Sequence, residues 1–210
     1  MNIELVHSTI KTIINQFKRK PGNFFNEYDF HQYCFHAFYL QKEFTRQYMT
    51  KDGKKTNVLH PEYPTLERFK RKPEGRVDPK GVRARYDIVI LNPEFIKNND
   101  FETVRCRDIR KISRGNKAKN IIAALEFKFI IKHRQNYLNE IKFDHLKLAN
   151  DKEVEHKYML VFTNAVKNKI EYLKGFTFKE SIKAVYIAPK KIGEKKLIIE
   201  EYPYRWLYKK

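Results

Sequence analysis

Glu126 and Lys128 interrupt a run that is otherwise apolar from Ile121 to Ile131, and this interruption constrains the fold more than any other feature of the chain. The run reads as a β-strand. Strand side chains alternate, so Glu126 and Lys128 share one face while Leu125, Phe127 and Phe129 share the other. A carboxylate and an ammonium are thereby carried into the interior of a sheet. Leaving charges there costs several kcal/mol unless they are paired or metal-bound.

A second strand repeats the pattern. In Arg85-Tyr86-Asp87-Ile88-Val89-Ile90-Leu91, closed by Asn92-Pro93, Asp87 is the lone acid ahead of an apolar stretch. If the two strands belong to one antiparallel meander, Asp87 falls beside Glu126. Two adjacent carboxylates repel, and a divalent cation relieves the repulsion. Hard oxygen ligands suit Mg²⁺ or Mn²⁺, completed by water and phosphate oxygens. Such an ion can activate a water and orient a phosphate, with Lys128 steadying the water or the phosphate. The competing reading makes Glu126 and Lys128 an exposed pair on an edge strand and Asp87 a turn cap.

The surrounding elements fit one α/β domain spanning 1–210. Apolar residues at helical spacing over 3–19 predict a first helix, ending before Pro21-Gly22. A second is expected from the N-cap Asn26 to about Met49. A turn at 51–55 leads to a short strand over 58–63, stopped by Pro64, and 66–82 reads as a basic loop. Residues 97–119 read as irregular or partly helical. A helix over 134–150 presents Leu138, Ile141, His145, Leu148 and Ala149, and Tyr158–Phe162 is a buried strand. A helix near 165–174 and strands near 183–188 and 196–202 follow. The close connections favour an antiparallel meander for the first three strands, and the 134–150 helix suits a parallel crossover. His31, Cys34 and His36 read as packing, and Glu62 as a solvated strand position.

Charge narrows the partner. Lys plus Arg number 44 against 25 acids, a net charge of +19, which calls for a polyanion such as nucleic acid. Arg83, Arg85, Lys70 and Arg71, together with Arg110, Lys111 and Arg114 of the basic 105–119 segment, are the expected phosphate contacts. Two cysteines, Cys34 and Cys106, supply neither a disulfide framework nor a metal-ligand spacing. No apolar run is long enough to span a membrane, and residues 1–7 lack a signal-peptide pattern, so a cytoplasmic location is expected. The aromatic stretch Tyr202–Tyr208 is expected to pack on the core, pair subunits of a homodimer or stack on bases.

Asp87 followed by Glu126-Phe127-Lys128 on a later apolar strand, with a helix before and a helix and buried strand after, resembles the PD-(D/E)XK nuclease superfamily over about residues 24–163. The resemblance implies a restriction-endonuclease-like αβββαβ core, a mixed central sheet flanked by helices. It implies a Mg²⁺-dependent (or Mn²⁺-dependent) endonuclease hydrolysing DNA. Asp87, Glu126 and the Phe127 backbone carbonyl would then bind metal, Lys128 would match the motif lysine, and Glu27, with Asp29 as second choice, would supply a further acid. Tyr86 stands where the motif has proline, and the 39-residue span from Asp87 to Glu126 is long. A catalytically inactive nucleic-acid-binding protein on the same fold is the alternative.

Overall fold

The computed structural model describes residues 2–70, 77–107, 119–130, 136–164, 179–192 and 196–202, of which 136, 189–192 and 196–202 are described by backbone alone. Helix α1 (Ile3–Arg19) starts at Asn2, whose side chain accepts from the Glu4 amide at 2.9 Å, and buries Val6, Ile10, Ile13, Ile14 and Phe17. Helix α2 (Glu27–Tyr39) starts at Asn26, whose side chain accepts from the Asp29 amide at 2.9 Å. It ends ten residues short of the expected Met49. The chain breaks at Leu40, which is 64 % exposed, and resumes as the single turn α3 (Lys42–Thr45). An exposed leucine continued the apolar pattern without belonging to a buried face.

A small ladder of β1 (Tyr48–Met49) and β2 (Lys55–Thr56) leads into a six-stranded mixed sheet in chain order: β3 (Leu59–Phe69), β4 (Val82–Leu91), β5 (Ile121–Ile130), β6 (Val154–Thr163), β7 (Ile182–Ile192) and β8 (Lys196–Tyr202). Strands β3, β4 and β5 form the expected antiparallel meander. Helix α6 (Asn136–Asn150) carries the chain from β5 to its parallel neighbour β6, β7 is again parallel, and β8 closes antiparallel. Pro64 does not stop β3. The strand lies at the sheet edge, where a residue without an N–H is tolerated, and its register slips between Pro64 and Arg68. The turn back into β4 needs Gly81, because any Cβ there would overlap the Phe69 carbonyl. The helix expected near 165–174 lies outside the described residues.

The alternation of β5 sorts its two faces as its sequence implies. Phe127 and Phe129 pack under α1 and α2, with ring centroids 6.3 and 5.4 Å from Phe30 and Phe129 6.2 Å from Phe17. Glu126 and Lys128 meet α6, and Lys128 also reaches Glu27 at the start of α2. Short helices α4 (Pro93–Lys97) and α5 (Phe101–Cys106) fill the connection from β4 to β5. Just past α5, Arg107 is fully buried and forms a bidentate pair with Asp151 at 2.6 and 3.1 Å, to which the Tyr86 hydroxyl also donates at 3.0 Å. Among the described residues no helix is long and apolar enough to cross a membrane.

Candidate active site

The β4–β5 ladder ends at the pair Ile88–Leu125, although β4 remains paired to β3 and β5 to β6 well beyond that point. Two side chains take up backbone groups at the opening. The Phe127 amide donates to Asp87 Oδ2 at 2.6 Å, and Lys147 Nζ donates to the Arg85 carbonyl at 2.8 Å. The opening therefore places Asp87 and Glu126 at a gap between adjacent strands where side chains satisfy the Phe127 amide and the Arg85 carbonyl.

Glu126 is 1 % exposed on an internal strand, so it is no surface residue of a sheet edge. Lys147 of α6 lies 2.8 Å from its Oε1, and this close approach lacks hydrogen-bond alignment. Burial drives the Glu126 carboxyl well above the usual carboxylate range; Lys147 opposes the shift and the charge of Asp87 adds to it. Asp87 is raised as well, chiefly by burial, against the pull of His31, Lys147 and the Phe127 amide.

Lys128 sits among three carboxylates: Glu27 at 3.0 Å, Glu140 at 3.1 Å and Asp144 at 3.6 Å. Burial would lower the pKa of its ammonium, but Asp144, Glu27 and Glu140 outweigh it and hold the group above the usual lysine range. Lys147 is held up in the same way by Glu126 and by Asp144, 2.9 Å away. Carboxylates outnumber ammoniums here five to two, in a chain whose net charge is +19.

His31, read from the sequence as packing, belongs to this cluster instead. Its Nε2 is 3.1 Å from the Phe127 carbonyl, 3.7 Å from Asp87 Oδ2 and 3.9 Å from Glu27 Oε1. A carbonyl only accepts, so this nitrogen carries a proton. Three of the expected metal-binding oxygens thus converge on one N–H. Cys34 is buried and His36 exposed, as packing and surface positions. Among the described residues no group of three or more His, Cys, Asp and Glu is arranged to hold a metal ion, and Lys128 and Lys147 provide cationic partners for the carboxylates.

The sequence reading brought Asp87, Glu126, Lys128 and Glu27 together correctly but missed His31, Glu140, Asp144 and Lys147. The last three lie at i, i+4 and i+7 on α6, a helical stripe of charge beside the apolar one. Asp29 makes no contact with the cluster and serves the first turn of α2. Arg85 is exposed and, among the described residues, has no ion-pair or hydrogen-bond partner for its guanidinium. With Arg83, Arg105, Tyr63 and Glu62 it lines a groove of about 510 Å³ on the β3 side. Arg83 is tied into the framework: it donates to the carbonyls of Thr65, Cys106 and Arg107 at 2.7, 2.5 and 3.1 Å. Three of its five N–H donors are therefore engaged by the protein's own carbonyls. Lys70 directly follows β3 and is partly buried. Arg71, Arg110, Lys111 and Arg114 lie outside the described residues, as do 203–208 of the aromatic C-terminal stretch.

Comparison with known protein families, with curated proteins and with solved structures finds no match.

Proposed function

We propose that this protein is a divalent-metal-dependent nuclease with a restriction-endonuclease-like core, hydrolysing phosphodiester bonds at the β4–β5 opening. The observation that carries the reading is the convergence of Asp87, Glu126, the Phe127 carbonyl, Glu27 and Lys128 from three separate elements onto one partly buried, acidic point. Five carboxylates around two lysines leave an excess of negative charge that a divalent cation would offset. The basic remainder suits a polyanion.

The donor types suit Mg²⁺ or Mn²⁺, and a bound ion would draw together side chains that are not grouped as a metal site among the described residues. Glu126 Oε1 and Glu27 Oε1 are buried without an aligned hydrogen-bond donor, and the other expected ligands are hard carboxylate and carbonyl oxygens. Asp87, Glu126 and the Phe127 carbonyl would hold the ion, with His31 as a nitrogen ligand once its Nε2 proton is lost, and Glu27 at the rim. A cation held there supplies Lewis acidity toward the phosphate and a more acidic water. The protein's own part is clearest for Lys128. Three carboxylates keep it protonated, so it acts as a hydrogen-bond donor that orients the attacking water or a phosphate oxygen, never as the general base. Arg85, with a free guanidinium two residues from Asp87, would take a neighbouring phosphate. DNA is the substrate that the resemblance implies.

The close ion pair Lys147–Glu126 favours one second reading, a nucleic-acid-binding protein on the same scaffold that uses no metal. Incubating plasmid, linear and single-stranded DNA with Mg²⁺, Mn²⁺ or EDTA separates the two. The nuclease reading expects divalent-dependent cutting that is lost in Glu126→Ala and Lys128→Ala. Tight binding that ignores EDTA and survives Glu126→Ala, with no cutting by wild type, would establish the second.

A further inference from the structure

We propose that Phe25 and Tyr28 form a stacking platform for unpaired bases beside the candidate site, so that the favoured substrate is single-stranded or locally unpaired nucleic acid. This rests on the phosphodiester reading above and extends it to a substrate class.

Among the described residues, Phe25 and Tyr28 are the most exposed large apolar side chains, at 82 % and 70 %. They lie two residues before and one residue after Glu27, whose carboxylate is 3.0 Å from Lys128 Nζ, so both belong to the chain segment that carries Glu27 to the site. Their backbone is fixed on both sides. Phe24 is buried against Phe17, Phe30 and Tyr33, with centroids 6.2, 5.1 and 5.3 Å away, and Asn26 caps α2 through the Asp29 amide. One aromatic turned inward therefore holds the next one outward, ahead of any ligand. Arg19 and Lys20, exposed and with no side-chain partner among the described residues, precede them and would supply phosphate contacts. Cations close in sequence to open aromatic faces suit a single strand, because its bases offer uncovered π-faces. Inside a duplex those faces are covered by neighbouring pairs.

The occupant is nucleic acid and not a second protein because the exposed rings begin at a candidate phosphodiester site and are preceded by free cations. Tyr39, 53 % exposed at the far end of α2, gives the contrast. It lies about 16 Å along the helix from Tyr28 by the rise per residue and should matter only to a partner covering the whole helix.

Fluorescence anisotropy with a labelled single-stranded oligonucleotide and its duplex, in EDTA, tests the platform on wild type, Phe25→Ala/Tyr28→Ala and Tyr39→Ala, with chromatography reporting assembly state. Wild type is expected to bind the single strand more tightly. The double variant should lose on the order of 10-fold or more in single-strand affinity, with the duplex little changed and Tyr39→Ala like wild type. Equal wild-type affinity for both forms, an equal loss on both, or unchanged single-strand affinity would overturn the proposal. So would a double variant that only dissociates a dimer. Since the alanines replace exposed side chains, the variant should fold, and circular dichroism verifies it. The platform failing while Mg²⁺-dependent, Glu126-dependent cutting persists would leave the nuclease reading intact; absence of nucleic-acid binding altogether would remove both.

Discussion

Asp87 accepts the Phe127 amide at 2.6 Å, one residue beyond the last backbone pair of their strands on β4 and two beyond it on β5. A side chain here does what a strand carbonyl would otherwise do, and the same substitution of side chain for backbone lets Lys147 take the Arg85 carbonyl across the gap. The opening is therefore a satisfied structure. Its chemistry and its stability depend on overlapping atoms, so variants must be chosen to separate the two.

Asp87→Asn retains an oxygen acceptor for the Phe127 amide but no charge. It should fold with nearly wild-type stability and lose divalent-dependent cutting. Asp87→Ala leaves the amide without its acceptor and should cost a further 1–3 kcal/mol in urea unfolding. Equal stability of the two variants would show that the hydrogen bond contributes nothing.

Lys147→Met removes the partner of a fully buried carboxylate, a loss of about 3–5 kcal/mol when an ion pair is broken on one side only. A divalent ion can replace the missing charge. Mn²⁺ should accordingly raise the melting temperature of Lys147→Met by more than that of wild type. Equal shifts in both proteins would argue that no ion reaches Glu126.

The buried pair Arg107–Asp151 should govern acid stability. Burial alone would raise the Asp151 carboxyl, but Arg107 more than compensates and holds it below the usual value. A folded pKa below the unfolded one contributes stability above the unfolded value, near 3.9, that is lost as pH falls through the folded value. Arg107→Met should thus be less stable by about 3–5 kcal/mol at neutral pH. The gap to wild type should narrow below about pH 4 in chemical-denaturation curves recorded against pH; a gap independent of pH would remove the pair from the explanation.

What was legible in the sequence was whatever broke a strong pattern. Charges inside the apolar run of β5 and the lone acid of β4 had to be satisfied somewhere, and the meander brought them together. Less legible were charges on helices, where a polar residue is the ordinary case. Glu140, Asp144 and Lys147 look like any solvated stripe until the sheet is known to lie beneath them, and His31 looks like packing until the β4–β5 ladder opens toward it. The extent of β3 was misread for a different reason: Pro64 breaks strands that need its N–H, and an edge strand does not.

The two arginines of β4 were alike in sequence and are unlike in structure, which yields the sharpest contrast. Arg83 donates to three carbonyls and binds β3 and the end of α5 to β4, whereas Arg85, two residues from Asp87, is exposed and its guanidinium has no partner among the described residues. Arg85→Ala should keep its thermal stability and weaken nucleic-acid binding. The slope of log affinity against log salt should become shallower by about 1, the signature of one lost phosphate contact. Arg83→Ala should do the opposite, unfolding several degrees earlier with an unchanged salt slope while folded. If Arg85→Ala left the slope untouched, the strand would have to run along another face of the protein.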